Sequence, residues 1–325
     1  MMINRRKFSA LMGISTLGLP VAHAAGEWPE RPVTIVVPFA PGGATDVAAR
    51  ILAQELSQKF NQPFLVDNKT GAAGNIGLEA VIRSPANGYT LAFGTMGSLT
   101  TNPHIYSSAK FNVERDLRPI SQTFKVDHVL VVNPKVPAKD VAQLIAYAKA
   151  NPEKLTYGSA GTGSSVQMFA VLLEMRTGIK MRHIPYKGSA PALADLLAGN
   201  IDILMDSVPT SLSQIQAGKV RALAITSGVR NKRVPDVPTM QEAGVPDYDT
   251  AAWGSLMAPT GTPDALIARL SEAVQEAYKK TIVIEKFLAQ GMDPVASTPA
   301  QLSSLIQRDT ELWGKVVSAG KVRID

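Results

Sequence analysis

The sequence predicts an α/β protein of two lobes with a cleft between them. Short branched apolar runs alternate with longer stretches of helical period. That rhythm gives mostly parallel sheets with helices on both faces. It runs twice, on either side of a non-alternating patch at 110–134, and a second irregular patch at 245–263 returns the chain to the first lobe. Two crossing segments make a hinge.

The first lobe opens with VTIVVPF (33–39), a short continuous apolar run that reads as a buried strand. TDVAARILAQELSQKF (45–60) follows as an amphipathic helix, with Val47, Ile51, Leu52 and Leu56 on one face and Thr45 as its N-cap. PFLVDN (63–68) is a strand, GAAGNIGLEAVIRS (71–84) a glycine-rich turn running into a helix, and GYTLAFG (88–94) a third strand. In the second lobe HVLVVN (128–133) is a strand and AKDVAQLIAYAKAN (138–151) a helix. LTYGSAGTGSS (155–165) is a strand and polar turn, then VQMFAVLLEMRTG (166–178) is a helix closed by Gly178. Strands 181–186 and 201–206 flank the helix 190–199, and VRALAIT (220–226) is a further strand. Helices over 262–280 and 298–320 each begin Thr-Pro, read as N-cap and first helical position.

The chain has 325 residues, which suits two domains. Hydrophobic residues make up 45% and charged ones 18%, enough for a full core. The absence of cysteine excludes disulfides, thiolate metal sites and thiol catalysis. At the N-terminus, Arg5, Arg6 and Lys7 precede an apolar stretch from Phe8 to Val21 and an AHAAG cleavage pattern. Residues 1–25 thus read as a secretory signal peptide, too short to anchor in a bilayer. The adjacent arginines followed by Lys7 and Phe8 also resemble a twin-arginine signal. Cleavage near Ala24 or Ala25 leaves 30 basic against 27 acidic residues, so the net charge falls from +6 to about +3. No Lys/Arg cluster interleaved with aromatics occurs, so no nucleic-acid partner is expected.

Catalytic constellations are missing. There is no G-x-S-x-G elbow, no phosphate loop ending in Lys-Ser or Lys-Thr, and no G-x-G-x-x-G placed after a strand. His104, His128 and His183 have no partner at metal-ligand spacing. No catalytic residue, metal or cofactor is expected. Asp202 and Asp206 flank a strand, a weak signal for paired acid and base work.

Four strand-to-helix turns rich in glycine and hydroxyls carry the functional reading: APGGATD (40–46), TGAAGN (70–75), GTMGSLT (94–100) and SAGTGSS (159–165). In an open α/β sheet, ligands sit beyond the carboxyl ends of the strands. Unpaired amides at the following helix starts point there and favour negative charge. Turns of this kind facing one cleft suit a small anion such as a carboxylate. Each also has a plainer reading. Gly42 and Gly43 permit a tight turn, Thr45, Asp46 and Ser159, Ser164, Ser165 are helix-start residues, Trp253 is core rather than hinge-lining, and Phe39 merely finishes its strand. Tyr186 and Lys187 read as loop surface, or Lys187 as a charge beside an acidic ligand.

WPERPVTIVVPFAPGGATD, NKTGAAGNIG, ANGYTLAFGT, HIPYKGSAPALADLLAGNID and PTGTP together resemble the Bug-type substrate-binding proteins of tripartite tricarboxylate transporters. The resemblance covers nearly the whole mature chain. It implies a type II, Venus-flytrap periplasmic binding protein, with lobe 1 formed by 26–127 plus 250–325 and lobe 2 by 128–249. It implies capture of a small organic carboxylate and its delivery to membrane permease subunits, by a monomer. Carried onto this chain, the ligand-binding positions are Phe39, Ala40, Gly42, Gly43, Ala44, Thr45 and Asp46, with Gly94, Thr95 and Met96. The opposite lobe contributes Ser159, Ala160, Gly163, Ser164, Ser165 and Asp206. Gln167 stands where family members often carry a histidine, and Asn87 where an aspartate is common. Two other functions remain open: a sensory adaptor reporting to a membrane kinase, and a secreted enzyme using Asp46, Asp206 or a cleft serine.

Overall fold

The computed structural model describes residues 28–107 and 109–323. The expected signal peptide lies outside the described residues. The chain begins with β1 (Val33–Val37), α1 (Ala44–Phe60), β2 (Phe64–Asn68), α2 (Asn75–Ile82) and β3 (Thr90–Thr95). Two short helices, α3 (Asn102–Ile105) and α4 (Val113–Asp116), lead to β4 (Leu117–Val126). The second sheet follows with β5 (His128–Val132), α5 (Val141–Ala150), β6 (Thr156–Ser159), α6 (Ser165–Thr177) and β7 (Arg182–Pro185). It closes with α7 (Ser189–Ala198), β8 (Ile203–Ser207), α8 (Val208–Gln216) and β9 (Arg221–Ile225). The chain then returns as β10 (Ala252–Pro259), α9 (Asp264–Ala277), α10 (Thr281–Ala289), β11 (Asp293–Pro294) and α11 (Pro299–Gly320).

The two lobes are mixed sheets flanked by helices. The first runs β11-β4-β10-β3-β1-β2 and the second β7-β6-β8-β5-β9. β1 pairs parallel with β2 and β3, and β6 with β7 and β8, as the alternating rhythm requires. The antiparallel strands are the ones at the crossings. β10 runs against both β3 and β4, and β5 against both β8 and β9. Only Asp127 separates β4 from β5, so the chain passes straight from one sheet into the other without a crossover helix.

β1 shows why both faces of the first sheet are covered. Val33, Ile35 and Val37 pack with Leu52 and Leu56 of α1 and Leu270 and Val274 of α9. Val36 faces the other way, into a second core that holds Leu78, Trp313 and Phe169. That second core continues into the other lobe through α11, whose Trp313 ring lies 5.7 Å from Phe169 of α6. Among the described residues no helix is long and apolar enough to cross a membrane.

Helix starts depart from expectation at two places. Thr45 is not the cap of α1; the cap position is Gly43, and no side chain bonds the first-turn amides. Thr262 does not cap α9, because its hydroxyl donates to the Pro259 carbonyl instead and Pro263 takes the cap position. Thr298 does cap α11, in a reciprocal arrangement with Gln301. Gly178 closes α6 as expected, with φ 73° and its N–H on the Glu174 carbonyl.

Candidate functional site

A cavity of about 540 Å³ lies where the two sheets meet. Its floor in the first lobe is the start of α1. The first helical bond there runs from Val47 N–H to the Gly43 carbonyl. The amides of Ala44, Thr45 and Asp46 therefore have no intrahelical acceptor, and Ala44 and Thr45 line the cavity. The positive end of the α1 dipole opens into this space.

Asp46 holds that turn rather than facing the cavity. Its carboxylate accepts from Gly42 N–H, Arg50 Nε and Asn68 Nδ2, each at 2.9 Å. Asn68 Nδ2 also donates to the Phe39 carbonyl, which fixes the end of the strand. Burial pushes the Asp46 carboxyl up, but Arg50, the Gly42 amide and Asn68 together hold it below its ordinary range. The next turn is held in a rarer conformation. Ala72 and Ala73 have φ 45° and 51°, the left-handed region that costs a residue with a Cβ. Asn102 Nδ2 locks them by donating to the Ala73 carbonyl and to Asn75 Oδ1.

The opposite wall is the 160–165 turn before α6. Gly161 and Gly163 have φ 125° and 80°, which a side chain would oppose. Here the helix start is capped from within, since Ser164 Oγ accepts the Gln167 N–H. Ser207 caps α8 in the same way through Thr210 N–H and also reaches the cavity.

Of the residues expected at the site, the cavity wall brings together Phe39, Ala44, Thr45, Thr95, Met96, Ala160, Gly163, Ser164 and Ser165. Ala40, Gly42, Gly43, Asp46, Gly94, Ser159 and Asp206 lie outside the wall. Asp206 is fully buried, with Oδ2 accepting from Ser211 and Oδ1 unpaired. Burial pushes its carboxyl up to about 6, against the pull of Ser211 and the Ser207 amide. Tyr186 donates to Asp195, and exposed Lys187 brings no charge to the wall. Gln167 is not part of the wall either; it is buried behind the turn.

Sequence reasoning missed the walls made by the crossing strands. Phe124 and Val126 come from β4, His128 from β5, Ala252 and Trp253 from β10, and Tyr106 from the segment after α3. Trp253 is both wall and core, at 3% exposure. The wall contains no aspartate, glutamate, lysine or arginine among the described residues. Its histidine, His128, is pushed down to about 4 by burial and is neutral at pH 7. The arrangement offers backbone amides, hydroxyls and rings to a ligand. It offers no metal cluster among the described residues.

The description "Tripartite tricarboxylate transporter family receptor" matches residues 48–321 of this chain. The chain belongs to that family. It is a solute-binding receptor, not an enzyme. This tricarboxylate-transporter receptor is 38% identical to protein BugT of Bordetella pertussis over 318 residues, spanning 97% of this chain and 98% of that protein. Among solved structures it resembles R. palustris Rpa4515 with adipate, at 35% identity and TM-score 0.76, covering 92% of this chain and 100% of that one. It also resembles MatC from Rhodopseudomonas palustris with bound malate, at 30% identity and TM-score 0.73, covering 89% of this chain and 100% of that one.

Proposed function

We propose that this receptor captures a small organic carboxylate in the periplasm, closes its lobes over it and delivers it to the membrane permease subunits of a tripartite tricarboxylate transporter. One observation carries the reading: the uncapped start of α1 opens into a cavity whose wall, among the described residues, has no side-chain charge. A carboxylate seated there meets free amides and the helix dipole, worth roughly 0.3–1 kcal/mol or more when shielded. The adipate and malate bound by the two relatives support the class of ligand. The ligand-facing set is then Phe39, Ala44, Thr45, Thr95 and Met96 from lobe 1 and Ala160, Gly163, Ser164 and Ser165 from lobe 2. Lobe 1 comprises 26–127 with 250–325, and lobe 2 comprises 128–249. Residues 1–25 direct export, by the general or the twin-arginine route, and the mature receptor acts as a monomer.

The decisive experiment is a thermal-shift screen of the mature protein against organic acids, with adipate and malate included, since a ligand that binds the folded state raises the melting temperature. A shift with acids and none with the matching amides supports the reading; no shift with any acid overturns it. Uptake of the identified acid in cells lacking the receptor then separates delivery from sensing. Loss of uptake supports delivery, and unchanged uptake favours an adaptor that reports to a membrane kinase.

A further inference from the structure

The turn that presents Gly161, Gly163 and Ser164 to the cavity is held from behind by three side chains that do not line it. Ser159 ends β6, Gln167 lies in the first turn of α6, and His183 lies on β7. Ser159 and Gln167 are buried and His183 is half-buried. His183 Nε2 stands 2.6 Å from Ser159 Oγ, and Gln167 Nε2 stands 3.2 Å from His183 Nδ1. Gly163 N–H donates to Gln167 Oε1 at 2.7 Å, and Gly161 N–H donates to Ser159 Oγ at 3.2 Å.

One placement of protons satisfies all of these bonds. Gly163 can only donate, so the Gln167 oxygen faces it and the Gln167 NH₂ faces His183. The NH₂ can only donate, so His183 Nδ1 is an acceptor. The neutral ring then carries its proton on Nε2 and donates to Ser159 Oγ. The Ser159 proton is left for the Gly161 carbonyl, 3.2 Å away. Burial depresses the His183 pKa, which keeps the ring neutral as this chain of bonds requires. The groups facing the ring fit the same state. Tyr157 of β6 stacks on it at 4.9 Å, with its phenol kept protonated by burial and by the Glu174 charge from α6, against the pull of the Gln167 amide.

We propose that His183 is a positioning residue for ligand binding: through Gln167 and Ser159 it fixes the Gly163 and Gly161 amides and so sets the cavity-facing turn. This rests on the carboxylate-receptor reading above. Protonating Nδ1 would set two donors against each other. The Gln167 amide would have to rotate and turn its NH₂ onto the Gly163 N–H. The turn loses its anchor, and anion binding weakens as pH falls through the His183 titration.

The test begins without ligand. Amide resonances of Gly161 and Gly163 in the mature protein are followed from about pH 7.5 to about pH 4.5, together with the His183 ring signal. Both amides are expected to move with the midpoint of the ring, and that movement is expected to vanish in His183→Asn. Asp206 titrates in the same range but is common to both proteins, so the difference isolates His183. Amides that stay still, or that titrate identically in the variant, overturn the proposal. Adipate binding by calorimetry at about pH 7.5 is the second arm. His183→Phe keeps the ring on Tyr157 but loses both bonds, and is expected to bind about tenfold more weakly and, with the buried Gln167 NH₂ left without its acceptor, to melt at a lower temperature. His183→Asn is expected to stay within about threefold of the parent and to lose the acid-side weakening. A His183→Phe variant that binds like the parent overturns the proposal. If no acid of the thermal-shift screen binds any of these proteins, the carboxylate reading fails, while the resonance arm still decides the network.

Discussion

Trp253 Nε1 donates to Asp309 Oδ2 across 2.7 Å, joining the cavity wall on β10 to the last helix. Both residues are buried, and burial pushes the Asp309 carboxyl above its ordinary range against the pull of Trp253 and Arg308. Removing the acceptor leaves a buried indole N–H unpaired, which costs roughly 1–3 kcal/mol. Asp309→Ala is therefore expected to lower the unfolding free energy by that amount, read as a lower urea midpoint, and Asp309→Asn by less because its carbonyl can still accept. Equal midpoints for parent and both variants would show that the bond contributes nothing.

Gly43 offers a sharper test of the α1 start. Its φ of −77° suits any residue, and an added Cβ would meet only the Ala40 carbonyl at 3.8 Å. Gly43→Asp is expected to cap the helix, adding a few tenths to about 1 kcal/mol of stability. The same carboxylate occupies the amides proposed for the ligand. Adipate affinity should fall at least about tenfold while the melting temperature rises. Retained affinity would place the anion elsewhere.

His128 and Asp206 sit on neighbouring rungs of the second sheet, opposite Ser207 and Val129. Their pH dependences have opposite sign. His128 is pushed from 6.5 down to about 4, so the unfolded chain binds the extra proton first. Its contribution, on the order of 3 kcal/mol, is lost as pH falls through that window. Asp206 is raised from 3.8 to about 6, so the folded chain holds the extra proton. Its contribution, also on the order of 3 kcal/mol, is present below about pH 4 and lost as pH rises through about 6. Asp206→Asn is expected to gain stability on the parent above pH 6 and to decline more steeply toward pH 4. Denaturant titrations at stepped pH measure both; parallel curves for the two proteins would refute the assignment.

Gly254 leaves room for a ring that lines the cavity. A Cβ there would lie 2.3 Å from Phe124 Cε1. Gly254→Ala is expected to cost roughly 1–3 kcal/mol through overpacking and to weaken acid binding by displacing Phe124. Calorimetric melts and adipate titrations check the two effects separately; a variant matching the parent in both shows that Phe124 can yield freely.

Much of this architecture is written in local pattern. The strand β1 and helix α1 carry complete apolar faces, and their junction carries the glycines. β4 was hidden because its burial does not alternate: its ladder with β10 slips at Gly254/Ser255 and again at Leu256/Met257. A bulged strand loses the period-two signal. The cavity turns are similarly legible, because glycines and hydroxyls cluster there. Phe124, His128 and Trp253 carry no such mark. They sit on crossing strands whose residues read as ordinary core, and only the meeting of two sheets makes them a wall. Thr45 misled for a related reason, since a threonine before an apolar period is a cap signal even where the cap is deliberately absent and Gly43 takes its place.

The helix α11 runs like an axle beside both sheets. Its Trp313 ring meets Phe169 on one side, while His104 lies against Gly314 and bonds the Thr310 carbonyl on the other. Each of the two large rings is fully covered, and baring one would cost about 4 kcal/mol. Under the closure proposed above, the jaws would pivot about this axle and could not gape far from it. An empty receptor should differ from a loaded one by a modest swing.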